Sequence, residues 1–245
     1  HDKVVILGYG PVTGVVFKER EPGALSADAK EQAQGILDKT EFKGGLIVHL
    51  GSGDGKLTAA LGDSRNHVVH GLDADSRNVV KAREFVDSLG QYGRISFDRL
   101  GNDLPYIDNL VNLIIVEDPG SISKEEMMRV LAPEGQLLNL ADSKIEMKPP
   151  MEGIGDWTHF MQDSTGNGVA QDTVVSPPKY LKWTGGSTWS RSHSHMGNMP
   201  GLVAAKGRIF AILDEGFVGK DQSHAPADWS LIARDAYNGI LLWRK

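Results

Sequence analysis

Residues Gly44 to Asp75 read GGLIVHLGSGDGKLTAALGDSRNHVVHGLDAD, and this stretch decides the fold. Leu46 to Leu50 is a short apolar run rich in branched residues, the pattern of a strand buried on both faces. It leads directly into Gly51-Ser52-Gly53-Asp54-Gly55, and Lys56 to Leu61 then has the composition of a helix start. Glycines there let the chain turn tightly and let a ligand approach the backbone, with free N–H groups of the helix end facing it. A second strand, His67 to Leu72, ends in Asp73, 73 − 53 = 20 residues beyond the middle glycine. A carboxylate at that distance is placed to accept the hydroxyls of a ribose. A glycine-rich turn alone often serves packing only. Strand, glycines, helix, strand and terminal acid within one unit point to a nucleoside site.

The spacing G-x-G-x-G departs from the dinucleotide fingerprint, and no G-x-x-x-x-G-K-[ST] is present. HLGSGDG resembles the first motif of the class I S-adenosylmethionine (SAM)-dependent methyltransferases, and GLDAD resembles the acidic end of their second strand. RISFDRLGNDLPY (94–106), NLVNLIIVE (109–117) and MMRVLAPEGQLL (127–138) are similar to their third strand, fourth strand and late-strand passage. The resemblance spans about residues 40 to 145. It implies a doubly wound parallel α/β sheet and a SAM site at Gly51, Ser52, Gly53, Asp54, Gly55, Leu72 and Asp73, with Asp98, Asn102 and Asp103 competing for the adenine amine. It also implies Glu117 or Asp118 as general base or acceptor-orienting residue. Three positions depart from the family pattern. His49 stands where an acid is usual, Asn112 where Asp is common, and Glu117-Asp118-Pro119-Gly120 replaces the usual Asn/Asp-Pro-Pro-aromatic motif.

The remainder of the sequence divides the chain. Of 245 residues, 26 are Lys or Arg and 32 Asp or Glu, giving a net charge of −6, which argues against nucleic acid as main partner. No apolar run approaches the 18 or so residues a membrane span needs. The absence of cysteine removes disulfides, thiolate metal sites and cysteine nucleophiles. All five tryptophans lie beyond the Lys148-Pro149-Pro150 seam, which predicts a boundary. The expected units are 1–40, a small hairpin (Val4–Leu7 with Val15–Phe17) and a helix capped by Ser26 over 27–38; 41–148, the SAM-methyltransferase-like domain; and 151–245, an all-β part. Within the middle unit, Ser76 to Ser88 predicts a helix with Val79, Val80, Ala82, Phe85 and Val86 on its apolar face, and Ser123 with Glu126 has capping-box spacing. His49 is expected to be a hydrogen-bonded core histidine.

In the third unit Tyr180–Thr184, Leu202–Ala205, Arg208–Leu213 and Trp229–Arg234 read as strands of an antiparallel meander. LIARDAYNGILLW (231–243) adds an Asn-Gly hairpin signal. It resembles the tryptophan-docking repeat of pyrroloquinoline quinone (PQQ)-type β-propellers. That resemblance implies a first blade with Trp243 packed on the Ala233–Ala236 turn region of its own or a neighbouring blade, and further blades from the same longer protein or a companion chain, because one blade cannot bury its own faces. It also implies a large multidomain bacterial protein, a place outside the cytoplasm, in the periplasm, and PQQ or a metal in a completed propeller. His193 and His195, with His159, His224 or Asp163, form a candidate metal set. Trp157 is expected to anchor this unit on the preceding one. Three functions compete: SAM-dependent methyl transfer, a non-catalytic scaffold, and part of a propeller redox enzyme.

Overall fold

The computed structural model describes residues 23–174, 177, 180–185, 199–216 and 226–245. The expected hairpin within 1–22 lies outside them. The first sheet is built from α1 (Ala27–Thr40), β1 (Gly45–Leu50), α2 (Lys56–Leu61), β2 (His67–Asp73), α3 (Ser76–Ser88), β3 (Ile95–Arg99), β4 (Val111–Val116), α4 (Lys124–Val130), β5 (Leu131–Asn139) and β6 (Lys144–Met147). Its strand order is β3-β2-β1-β4-β5-β6. The first five strands are parallel and β6 pairs antiparallel with β5. This is the doubly wound α/β sheet the sequence predicted, with the order reversing at β1 and β4, where such sheets open a crevice.

β1 has the apolar composition it does because it is covered twice. Ile47 joins the cluster of α1, α2 and α3, whereas Val48 and Leu50 join that of α4 and the loop through Leu104. Ser26 accepts from Ala29 N and caps α1, whose Ala29, Ala33 and Ile36 pack into the first cluster. On α3, Val79, Ala82 and Val86 are buried, but Val80 is 54 % exposed, so the buried stripe is narrower than the sequence suggested. Ser123 caps α4 through Glu126 N; the Glu126 carboxylate turns instead to Leu104 N and Arg129, leaving half of a capping box.

The second sheet is an antiparallel meander, β7 (Gly201–Ala205), β8 (Arg208–Asp214), β9 (Trp229–Asp235) and β10 (Leu241–Arg244), in the order β10-β9-β8-β7. Residues 180–184 are not its fourth strand. That segment is fastened elsewhere: Lys182 Nζ donates to Asp108 O (3.0 Å) and Asn109 O (2.6 Å), and Trp183 Nε1 donates to Ala236 O (2.9 Å). Burial pushes the Lys182 ammonium below its usual range. The indole on the 236–239 turn is therefore that of Trp183, not Trp243. A Cβ at Gly239 (φ 75°) would lie 2.5 Å from the Trp183 ring, so only glycine permits that contact. Trp243 leans on Phe210 instead, ring centroids 6.0 Å apart. The Trp157 backbone bridges Ala204 at the β7 edge.

The two sheets meet at the amino ends of β1 and β4. Asn112 Oδ1 accepts from Leu46 N (2.8 Å) and Asn238 Nδ2 (2.6 Å), and Asn112 Nδ2 donates to Asp235 Oδ2 (2.7 Å). Asn238 Nδ2 also donates to Leu110 O. The family departure at Asn112 has a physical reason: an Asp there would set its carboxylate against that of the buried Asp235. No helix among the described residues is long and apolar enough to cross a membrane.

Candidate functional site

The opposite, carboxyl ends of the same strands carry the glycine turn. Gly51 N and Ser52 N both donate to Leu72 O, so the buried Leu72 contributes its carbonyl rather than its side chain. The three glycines have φ of 78°, 53° and 80°, but they do different things. A Cβ at Gly51 would lie 2.5 Å from Asp118 N, and one at Gly55 would lie 2.7 Å from the Ala82 Cβ; at Gly53 it would meet nothing within 4 Å. Gly51 and Gly55 serve close packing, whereas Gly53 faces open space.

Asp73 closes the turn from below. Its Oδ2 accepts from Gly53 N (2.8 Å), and its Oδ1 from Asp75 N (2.8 Å) and Asn78 Nδ2 (3.1 Å). The carboxylate is 6 % exposed, and Oδ2 retains acceptor capacity for one ribose hydroxyl rather than a free pair of oxygens for two. Asp54 pairs with Lys56 at 2.6 Å. Partial burial works against its ionised form, but the Lys56 hydrogen bonds and charge hold its carboxyl below the ordinary value.

Beside Gly53 lies a cavity of about 620 Å³ walled by Ser26, Asp28 and Gln32 on α1 and by Ser52, Asp54, Lys56 and Glu117. The α1 wall was not legible in the sequence, where only the capping Ser26 marked this helix and no motif tied it to a turn 25 residues on. His49, on β1 beneath the turn, is 1 % exposed and bonds Thr58 Oγ1 through Nδ1 (2.8 Å), as expected of a core histidine. Its Nε2 and the Ser52 Oγ are both buried without a hydrogen-bond partner. Glu117 Oε1 stands 3.5 Å from that Nε2, too far for a formed hydrogen bond. Asp118 spends its Oδ1 on Gly120 N within its own turn.

The adenine-side candidates separate as well. Asp98 accepts from His70 Nε2 (3.0 Å) and from Arg83 Nη2, which hold it toward α3 and β2; Asn102 and Asp103 are exposed loop residues. Tyr106 Oη lies 2.6 Å from His70 Nδ1. Burial depresses the His70 imidazole, and burial raises the Tyr106 phenol, so the phenol donates to a neutral ring. His193, His195 and His224 lie outside the described residues. His159 bonds Thr158, Asp163 bonds Thr165, and no group of three or more metal-ligating side chains is found among the described residues.

No family model and no curated protein matches the chain. Among solved structures it is similar to a SAM-dependent methyltransferase from Aquifex aeolicus (22 % identity, TM-score 0.41, covering 47 % of this chain and 67 % of that one). It is also similar to the [4+2]-cyclase SpnF (20 %, 0.42, 50 % and 48 %) and to geranyl diphosphate methyltransferase in complex with SAM (17 %, 0.40, 45 % and 48 %). The chain thus spans about half to two thirds of the length of these structures.

Proposed function

We propose that the Gly51–Gly55 crevice binds SAM, and that residues 41–148 form a methyltransferase-like unit. The observation that carries this reading is the cavity beside Gly53, walled by Ser52, whose Oγ is buried without a partner. Buried polar groups are seldom left so unless a ligand or water meets them. Asp73 would take one ribose hydroxyl at Oδ2, and the turn would lie against the nucleoside at Gly53. SAM supplies an electrophilic methyl on a sulfonium. Transfer would form the bond from acceptor to methyl carbon and break the carbon–sulfur bond, the pair staying on sulfur. The acceptor proton would pass to Glu117 or Asp118.

A second reading is supported by Asp73, whose two oxygens already hold the turn, and by Asn112, which serves the joint between the sheets. Both suit a non-catalytic scaffold. In either case we read β7–β10 as one blade of a PQQ-like propeller, completed by further polypeptide; a redox site using PQQ or a metal would then need those additional blades. The joint lies about 20 Å from the crevice, one six-residue strand away. The described residues of this blade at the joint therefore lie away from the crevice.

Titration calorimetry with SAM and S-adenosylhomocysteine tests the first reading. Binding is expected, weakened about tenfold to a hundredfold by Asp73→Ala, as loss of hydrogen bonds to a charged acceptor implies. No heat from the unmutated protein at millimolar ligand would leave the scaffold reading.

A further inference from the structure

Resting on that SAM reading, we propose that His49 is a positioning residue for Glu117, and that Glu117, rather than Asp118, receives the ammonium group of the ligand's amino-acid end, which leaves Asp118 as the acceptor-side carboxylate. The tautomer comes first. Thr58 is fully buried, and the one hydrogen bond found for its hydroxyl is to His49 Nδ1. Were Nδ1 the donor, the Thr58 proton would be left buried without an acceptor, the costlier arrangement. Thr58 therefore donates, Nδ1 accepts, and the neutral ring carries its proton on Nε2. That N–H points out of the core at Glu117 Oε1, 3.5 Å away.

Glu117 is half-free, its side chain 41 % exposed and on the cavity wall. Asp118 is pinned by Gly120 N. A small rotation of Glu117 brings one oxygen onto Nε2–H and leaves the other facing the cavity beside Ser52 Oγ. Such contacts are often long before the ligand arrives. The other charged groups walling the cavity are Asp28 from α1, Asp54 and Lys56 from the turn and α2; Lys56 and Asp54 neutralise each other at 2.6 Å. The end of the cavity toward β4 thus carries net negative charge and suits an ammonium. A nucleoside lacking that group would leave Glu117 and Ser52 unused.

The test compares S-adenosylhomocysteine with 5′-methylthioadenosine, which lacks the amino-acid end, by calorimetry on the whole chain. We expect the first to bind at least about tenfold tighter, the worth of one charge-assisted hydrogen bond. His49→Leu should collapse that ratio toward one while leaving 5′-methylthioadenosine affinity unchanged. His49→Gln, which keeps an N–H, should restore most of it, and Glu117→Gln should collapse it. A ratio near one in the unmutated protein overturns the proposal while leaving the SAM reading standing; absence of any nucleoside binding overturns both. A ratio untouched by His49→Leu and Glu117→Gln also overturns it. Should His49→Leu not fold, the imidazole ¹⁵N shifts of the unmutated protein decide: a proton on Nδ1 rather than Nε2 overturns it.

Discussion

The two sheets differ in how completely they bury themselves. The α/β sheet is covered on both faces by clusters of seventeen and thirteen buried apolar residues. The antiparallel sheet gathers three, Ala211, Leu213 and Ile232, among the described residues. One of its faces leaves Ile212, Trp229, Leu231 and Trp243 each more than a third exposed. Register places these four on the same side, since Ile212 pairs with Leu231 and Asp214 with Trp229, while Trp243 pairs with Ala233. Among the described residues, nothing covers that face in the way helices cover the α/β sheet. Parallel strands need helical crossovers and so bring their cover with them. A meander of tight turns brings none.

The largest expected effect follows from that contrast. Ile114→Ala in β4 removes a side chain with no exposed surface from a dense cluster and should cost about 3–5 kcal/mol. Ile232→Ala in β9 should cost about 2 kcal/mol or less, because its smaller cluster relaxes around the void. Denaturant unfolding of the two variants gives both numbers. Equal losses would mean that the meander is as well buried as the α/β sheet, and the contrast would fall.

The joint between the sheets comes next. Asn112→Asp would oppose two carboxylates where Asn112 Nδ2 and Asp235 Oδ2 now lie 2.7 Å apart. The expected loss is roughly 2–4 kcal/mol, from a lost hydrogen bond and an uncompensated buried charge. Asp235→Asn added to it should recover more than half. A double-mutant cycle showing no coupling would separate the sheets energetically.

A third effect is confined to the α/β unit. Burial depresses the His67 and His70 imidazoles. A depressed folded value means that protonation favours the unfolded chain. The stability these rings contribute is present above about pH 6.5 and is lost as pH falls below it. Unfolding midpoints at pH 7.5 and 5.5 should differ in that direction, and Tyr106→Phe should cost about 1 kcal/mol at pH 7.5 by leaving His70 Nδ1 without a donor. A midpoint independent of pH would refute the burial argument.

How much was legible in the sequence follows the same divide. Helix and strand positions from Lys56 to Val116 were readable because periodicity, caps and glycines are local signals, and the crevice at Gly51, Gly53 and Asp73 came with them. What escaped is set by contacts distant in sequence. Asn112 read as a departure where Asp is common, and its reason lies in Asp235 and Asn238, 123 and 126 residues on. Asp98 read as a candidate for the adenine amine, and nothing local ties it to His70, 28 residues away. Residues 180–184 have strand composition, yet hydrogen bonds to Asn109, 73 residues before Lys182, and to Ala236, 53 after Trp183, hold them elsewhere.

The smallest effects compare two tryptophans, Trp183 docked on the 236–239 turn and Trp243 in the last strand of the second sheet. Trp183 lies flush on Gly239 and donates to Ala236 O at 2.9 Å, whereas Trp243 is 38 % exposed and leans on Phe210. Trp183→Phe keeps most of the apolar area and removes the N–H. It should cost about 1 kcal/mol for the hydrogen bond, leaving Ala236 O without it. Trp243→Phe should change stability by less than about 0.5 kcal/mol, the range of exposed substitutions away from special features. Each change removes one indole, one docked on a turn and one leaning on a neighbouring ring, so their difference reports docking on the turn. If Trp243→Phe costs as much as Trp183→Phe in this chain, Trp243 already has a docked partner here, and no further blade is needed to explain its surface. If it costs little here but about 1 kcal/mol in a protein that carries more chain, the added polypeptide supplies the turn on which Trp243 docks.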